Sequence, residues 1–174
     1  MASQSIARGG KTTFIGNATA SAGGIWNLNT NNITPDGTYL LRAYATDDVG
    51  NEGPASNGFT VAIDTAAPAA PTITTVEDDV APATGTIADG GHSNDNQLTL
   101  AGTAEPDSTV EIFADGVTKG TTTADASGLW SYTTPALGDG PQNLTAIATD
   151  AAKNVSNVSS NYTVNIDTVA PATP

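Results

Sequence analysis

The segment Val61-Ala-Ile-Asp-Thr-Ala-Ala-Pro-Ala-Ala-Pro71 returns 103 residues later as Val164-Asn-Ile-Asp-Thr-Val-Ala-Pro-Ala-Thr-Pro174. A repeat of this length restricts the chain to folds that close within about a hundred residues and can follow one another in tandem. The same offset pairs Leu41-Arg-Ala-Tyr-Ala-Thr-Asp47 with Leu144-Thr-Ala-Ile-Ala-Thr-Asp150, Asn51 with Asn154, and Asp36-Gly37 with Asp139-Gly140. One inserted residue shifts the frame upstream, where Gly24-Ile-Trp26 matches Gly128-Leu-Trp130 and Gly16-Asn-Ala-Thr19 matches Gly120-Thr-Thr-Thr123.

The frame divides the chain into an incomplete unit over 1–66, a complete unit over 67–170, and the start of a linker over 171–174. Counting one period back from Pro68 places the start of the preceding unit ahead of Met1. The expectation is that the first unit is short of its first two strands and that Met1 is not the natural start. Residues 1–15 acting as an atypical capping strand are the alternative. A half sandwich with open edges invites pairing with another chain, so self-association or strand exchange through the first unit is expected.

Alternation with a period of two in Tyr162-Thr-Val-Asn-Ile166, Phe59-Thr-Val-Ala-Ile63 and Gln97-Leu-Thr-Leu100 predicts strands, and no segment carries a helical stripe. In the complete unit strands are expected at about 71–76, 97–104, 109–114, 117–123, 129–134, 142–149 and 160–167, separated by turn signals such as Ala114-Asp-Gly116 and Gly138-Asp-Gly-Pro141. Seven short strands in a unit of this size give an all-β, immunoglobulin-like sandwich. Trp26 and Trp130 are expected in the core, and Tyr39, three residues after Asp36, in a tyrosine-corner position that Gln142 occupies in the second unit.

Asp64-Thr-Ala-Ala-Pro68, Ala101-Gly-Thr-Ala-Glu-Pro-Asp-Ser-Thr-Val110, Thr122-Thr-Ala-Asp-Ala-Ser-Gly-Leu-Trp130 and Ala148-Thr-Asp-Ala-Ala-Lys-Asn154 resemble the bacterial Ig-like repeats of giant Gram-negative, type-I-secreted and biofilm-associated surface adhesins. The resemblance covers nearly all of 16–174. It implies an extender module at the bacterial cell surface, in an extracellular setting, that neighbours further repeats and binds calcium near domain junctions. Lys153 stands where the first unit has Gly50, and Asp107 replaces a position that is usually small.

Charge fits a cation better than a polyanion. Eighteen acids face five bases, a net charge of −13. Five scattered bases build no basic face for nucleic acid. There is no cysteine, so disulfides cannot staple an exported fold, and bound metal is the obvious substitute. No apolar run approaches the roughly 18 residues of a membrane helix, and Met1-Ala-Ser-Gln4 lacks the segments of a signal peptide.

In a seven-strand sandwich Asp64 ends the first unit's last strand, while Glu105 and Asp107 in one loop and Asp150 and Asn154 in another crown the next unit. These are expected to converge on the junction as hard oxygen ligands for Ca2+. Asp167 is the equivalent half-site one period later. A second group lies at the opposite pole, where Asp78 and Asp79 leave one strand and Asp89 and Asp95 lead into the next. The alternative is that such Asx-rich loops are turn formers bonded to their own backbone.

No nucleophile and base pairing is visible: His92 is the only histidine, and there is no cysteine and no Gly-x-Ser-x-Gly elbow. The expectation is a structural protein and not an enzyme. The rival readings are a carbohydrate- or protein-binding module acting through its polar loops, and an accessory domain of a secreted enzyme.

Overall fold

The computed structural model describes residues 2–8, 11–30 and 33–173. Met1 and Pro174, the expected non-native start and the linker's last residue, lie outside them. The chain separates into two compact units, Met1–Thr65 and Ala66–Pro174. The first contains β1 (Ala2–Arg8), β2 (Lys11–Ala18), β3 (Gly37–Ala45) and β4 (Phe59–Ile63). The second contains β5 (Thr72–Asp78), β6 (Gly85–Thr86), β7 (Gly91–Ser93), β8 (Thr99–Thr103), β9 (Thr109–Ala114), β10 (Val117–Thr123), β11 (Leu129–Thr133), β12 (Gly140–Thr149) and β13 (Tyr162–Ile166).

The second unit is an Ig-like β-sandwich of two sheets, ordered β10-β9-β12-β13-β7 and β11-β8-β5-β6. Alternate residues point inward, as the pleat requires. Val76, Leu98, Leu100 and Trp130 come from one side and Val110, Ile112, Leu144, Val164 and Ile166 from the other, all at most 3% exposed. Each such aliphatic side chain contributes about 1.5–3 kcal/mol by leaving water. Gly102 is where β8 lies closest to Thr72 of the adjacent β5 and to Trp130 of the adjacent β11. A Cβ there would collide with the Thr72 carbonyl and lie 2.7 Å from the indole. The expected hairpin at Asp115-Gly116 joins β9 to β10 with both residues at positive φ, 51° and 74°, the combination a tight turn between twisted strands demands.

Two short elements were not legible in the alternation. The chain leaves β5, pairs briefly back on it as β6, then crosses sheets so that β7 runs parallel to β13, with Val164 opposite Gly91 and Ile166 opposite Ser93. Gly91-His-Ser93 has no apolar alternation to announce it, and the three residues are strand only because β13 offers a free edge.

The first unit repeats one of these sheets. Its order β2-β1-β3-β4 has the topology of β10-β9-β12-β13, with Ala2 opposite Ala45 and Gly37 opposite Ile63. Among the described residues of this unit no strand takes the place of β5, β8 or β11. Residues 24–26 form no strand, although their counterparts 128–130 run into β11. The difference is the ladder: Leu129 and Trp130 pair with Thr103 and Gly102 of β8, and without such a partner strand the backbone of 24–26 is left with bonds inside its own turn. Positions that are fully buried in the second unit are opened accordingly. Leu144 and Ala146 are 0% exposed while Leu41 and Ala43 are only half-buried, and Phe59, the counterpart of half-buried Tyr162, is 68% exposed.

Candidate functional site

Ladder register decides which carboxylates share a pole of the second unit. Thr109 pairs with Thr149, so the loop carrying Glu105 and Asp107 and the loop carrying Asp150 and Asn154 emerge at the same end. Glu105 and Asp107 are exposed. The Glu105 backbone carbonyl accepts from the Ser108 amide at 3.1 Å and hydroxyl at 2.7 Å, and Asp107 holds a left-handed backbone at φ 62°. Asp150 is buried, 6% exposed. Its Oδ1 accepts the Asn154 amide at 2.8 Å and its Oδ2 the Asn154 side-chain Nδ2 at 2.8 Å. Burial pushes the Asp150 carboxyl upward, and bonds from Asn154, Ala152 and Lys153 outweigh it, leaving the pKa below the ordinary value. Asp64 follows the last residue of β4 in the first unit and is exposed.

Among the described residues the Asp150 loop is one of four copies of a single five-residue device. In Asp47–Asn51, Asp125–Leu129 and Asp150–Asn154 the first residue's carboxylate accepts the fifth residue's amide at 2.8–2.9 Å. Ser21–Ile25 does the same with a hydroxyl, at 3.3 Å. In all four the first amide donates to the fifth carbonyl and the fourth amide to the first carbonyl. The fourth residue is always left-handed: Gly24 at φ 77°, Gly50 at 93°, Gly128 at 80° and Lys153 at 76°. Asp47 also has a lowered pKa, chiefly through the Asn51 side chain. The spacing Asp-x-x-Gly is readable in two of them, Asp47–Gly50 and Asp125–Gly128, while Lys153 and Ser21 depart from it in the other two.

At the other pole Asp78 and Asp95 are both buried, 3% and 4% exposed. The Ser93 hydroxyl links them: it donates to Asp78 Oδ2 at 2.6 Å and accepts from the Asp95 amide at 3.0 Å. Asp79 is exposed and its amide lies 3.4 Å from Asp95 Oδ2. Asp89 stands apart, accepting the Thr163 amide at 2.7 Å. Asp167, by contrast, is drawn in by its amide, which donates to Ser93 O at 2.9 Å. Asn94 Oδ1 is buried with no hydrogen-bond partner, while its Nδ2 donates to Ala81 O at 3.1 Å. Oxygen-only donors with one orphaned among them suit a hard cation such as Ca2+. Among the described residues no three Asp, Glu or His side chains gather closely enough to hold a metal by themselves.

One pair of residues with a positional role escaped the sequence reading. Asp36 accepts the Thr65 amide and hydroxyl, each at 3.0 Å, and one period later Asp139 accepts the Thr168 amide at 3.2 Å and hydroxyl at 2.9 Å. Each unit thus ties the first residues after its last strand to its own preceding turn. The recurrence of Asp36-Gly37 and Asp139-Gly140 at the repeat offset was the available signal. His92 is exposed, its ring Nδ1 3.2 Å from Asn165 Nδ2. Among the described residues no helix is long and apolar enough to cross a membrane.

Among solved structures the chain is similar to fibronectin(III)-like modules of Clostridium thermocellum CbhA, at 19% identity and a TM-score of 0.48 over 94% of this chain and 77% of that one. A biofilm-associated protein BSP domain matches at 23% identity and a TM-score of 0.39, over 97% of this chain, which spans 25% of that one. A Bacteroides ovatus SGBP-B from a mixed-linkage glucan utilization locus, in complex with a mixed-linkage heptasaccharide, matches at 15% identity and a TM-score of 0.32, over 94% and 39%. No curated protein matches. The bacterial Ig-like domain family matches twice, over residues 3–65 and 69–168, on the sandwich strands and the repeated loops alike, and the chain belongs to that family.

Proposed function

We propose that the chain is a structural extender segment of a bacterial cell-surface adhesin, stiffened by calcium at its interdomain junctions. The observation that carries this reading is the twice-repeated clamp of Asp36 on Thr65 and Asp139 on Thr168. A module that fixes the course of the chain as it leaves, at the same place in each repeat, is built to be strung in series. The prolines that follow, Pro68 and Pro71 after the first clamp and Pro171 and Pro174 after the second, restrict the backbone further and make a semi-rigid spacer. Loops closed on their own backbone and a net charge of −13 suit a solvated stalk outside the cell.

Calcium enters through the oxygen donors. Asp78, Asp95 and Asn94 at one pole, with Asp167 beside them, and Asp64, Glu105, Asp107, Asp150 and Asn154 around the junction would hold it, with backbone carbonyls and water completing the 6–8 ligands it takes. Bound at ten times its Kd, each ion adds about 1.4 kcal/mol, enough to shift a hinge. The test is a thermal melt with X-ray scattering in calcium, magnesium and EDTA. A calcium-selective rise in Tm with a longer maximum dimension supports the reading. Identical melts and dimensions in all three remove calcium from it.

A further inference from the structure

We propose that the open face of the first unit is a strand-acceptor groove that takes an extended strand pair bearing alternate branched apolar side chains, with a glycine opposite Trp26. The inference is independent of calcium and of the extender reading. It rests on the internal repeat, which shows both an open and a covered version of one face.

The open version is a groove of about 290 Å³ in the first unit, lined among others by Trp26, Leu41, Ala43, Ser56 and Phe59. Its counterparts in the second unit are Trp130, Leu144, Ala146, Ser159 and Tyr162. Four of these are buried there, at 3%, 0%, 0% and 6% exposed, and the fifth, Tyr162, is half-buried with its hydroxyl donating to the Ile87 carbonyl. What covers them is the segment from β5 to β8. It contributes Val76, Ile87, Leu98 and Leu100 to the core and sets Gly102 against the indole, where no larger residue fits. The occupant of the first unit's face is defined by the same needs, and its ladder edge would also give residues 25–29 the partner that Leu129–Thr133 finds in β8. Filling the groove therefore makes a new strand as well as burying Trp26.

The probe is a synthetic peptide of residues 70–104, the covering segment itself, titrated into the full chain by calorimetry and tryptophan fluorescence. The expected result is saturable heat with a blue shift of emission. The shift is lost in Trp26→Phe while the heat remains. Leu41→Ala weakens binding by about 30-fold or more, the loss expected when a leucine is truncated at a packed face. Thr60→Ala, on the alternate face of β4, leaves it unchanged. Because Leu41→Ala can disturb the unit by itself, the peptide is also fused ahead of Met1 through a flexible linker. Amide exchange at residues 25–29 and 40–43 then slows in the fusion and not in a scrambled-sequence fusion. Absence of heat together with unchanged exchange in the fusion overturns the proposal. So does a dimer, by sedimentation, that saturating peptide leaves intact, since a second copy would then be covering the face.

Discussion

Tyr39 in the first unit and Gln142 in the second hold the same place in the repeat, and each side chain donates to the carbonyl four residues before it, that of Pro35 and that of Gly138. The requirement at this corner is a donor that reaches back over the turn, and an amide meets it as well as a phenol. Gln142→Ala is expected to lower the second unit's stability by about 0.5–1.5 kcal/mol. Gln142→Glu, which sets an acceptor against an acceptor, lowers it at least as much at neutral pH. Urea midpoints measure both, and an unmoved midpoint in Gln142→Ala would mean the bond contributes nothing.

Lys153 carries the left-handed backbone that Gly50 carries one period earlier. The conformation disfavours any side chain with a Cβ by roughly 1–2 kcal/mol. Lys153→Gly should therefore stabilise the second unit, by less than that amount because glycine also gains freedom when unfolded. Gly50→Ala should destabilise the first by about 1 kcal/mol through backbone strain alone, since a Cβ there meets no atom within 4 Å. Opposite signs in the two melts support the reading, and two destabilisations refute it for Lys153.

Gly102→Ala is the severe substitution. The added methyl meets the Thr72 carbonyl and the Trp130 ring, neither of which can yield without opening the sheet. A loss of about 3 kcal/mol or more is expected by chemical denaturation, at the upper end for overpacking. A loss below 1 kcal/mol would show that β5 and β8 part easily at this rung.

Asp47 and Asp150 titrate below the ordinary aspartate value near 3.9. A depressed folded pKa means stability that is fully present above the unfolded pKa and lost as pH falls through the folded one. Both units should therefore weaken progressively below about pH 4. Asp150→Asn, already weaker at neutral pH, should show a flatter acid limb in the second unit's stability. An unaltered acid limb in that variant would assign acid sensitivity to other carboxylates.

Asp139→Ala releases Thr168, and amide exchange at Thr168 should quicken while the core amides of Leu144 and Val164 hold their protection. Equal protection in both forms would deny the clamp its part in directing the exit.

The sandwich itself was readable because its determinants are local: the expected 109–114 and 117–123 match β9 and β10 residue for residue, and the other five strands fall within two residues at each end. β6 and β7 were not, because their pairing depends on an edge formed by β13, far away in sequence. The carboxylates were the harder case. Asp150 and Asn154 were rightly placed in one loop, yet an Asp-x-x-x-Asn loop offers the same oxygens to a cation or to its own amides, and residue type alone does not choose. Asp78 and Asp95, far apart in sequence, came together through Ser93, a residue that carries no charge and so drew no notice.

The parallel pairing of β7 with β13 has a mechanical meaning. One strand lies near the second unit's beginning and the other at its end, so tension applied along the chain slides them past each other and loads their rungs together in shear. β4 has no strand on its outer side among the described residues, and β3 and β4 are antiparallel neighbours, so the first unit offers tension no such parallel brake. Under a pulling force the first unit yields early, as a soft extensible element, and the second holds its length until the β7–β13 contact breaks.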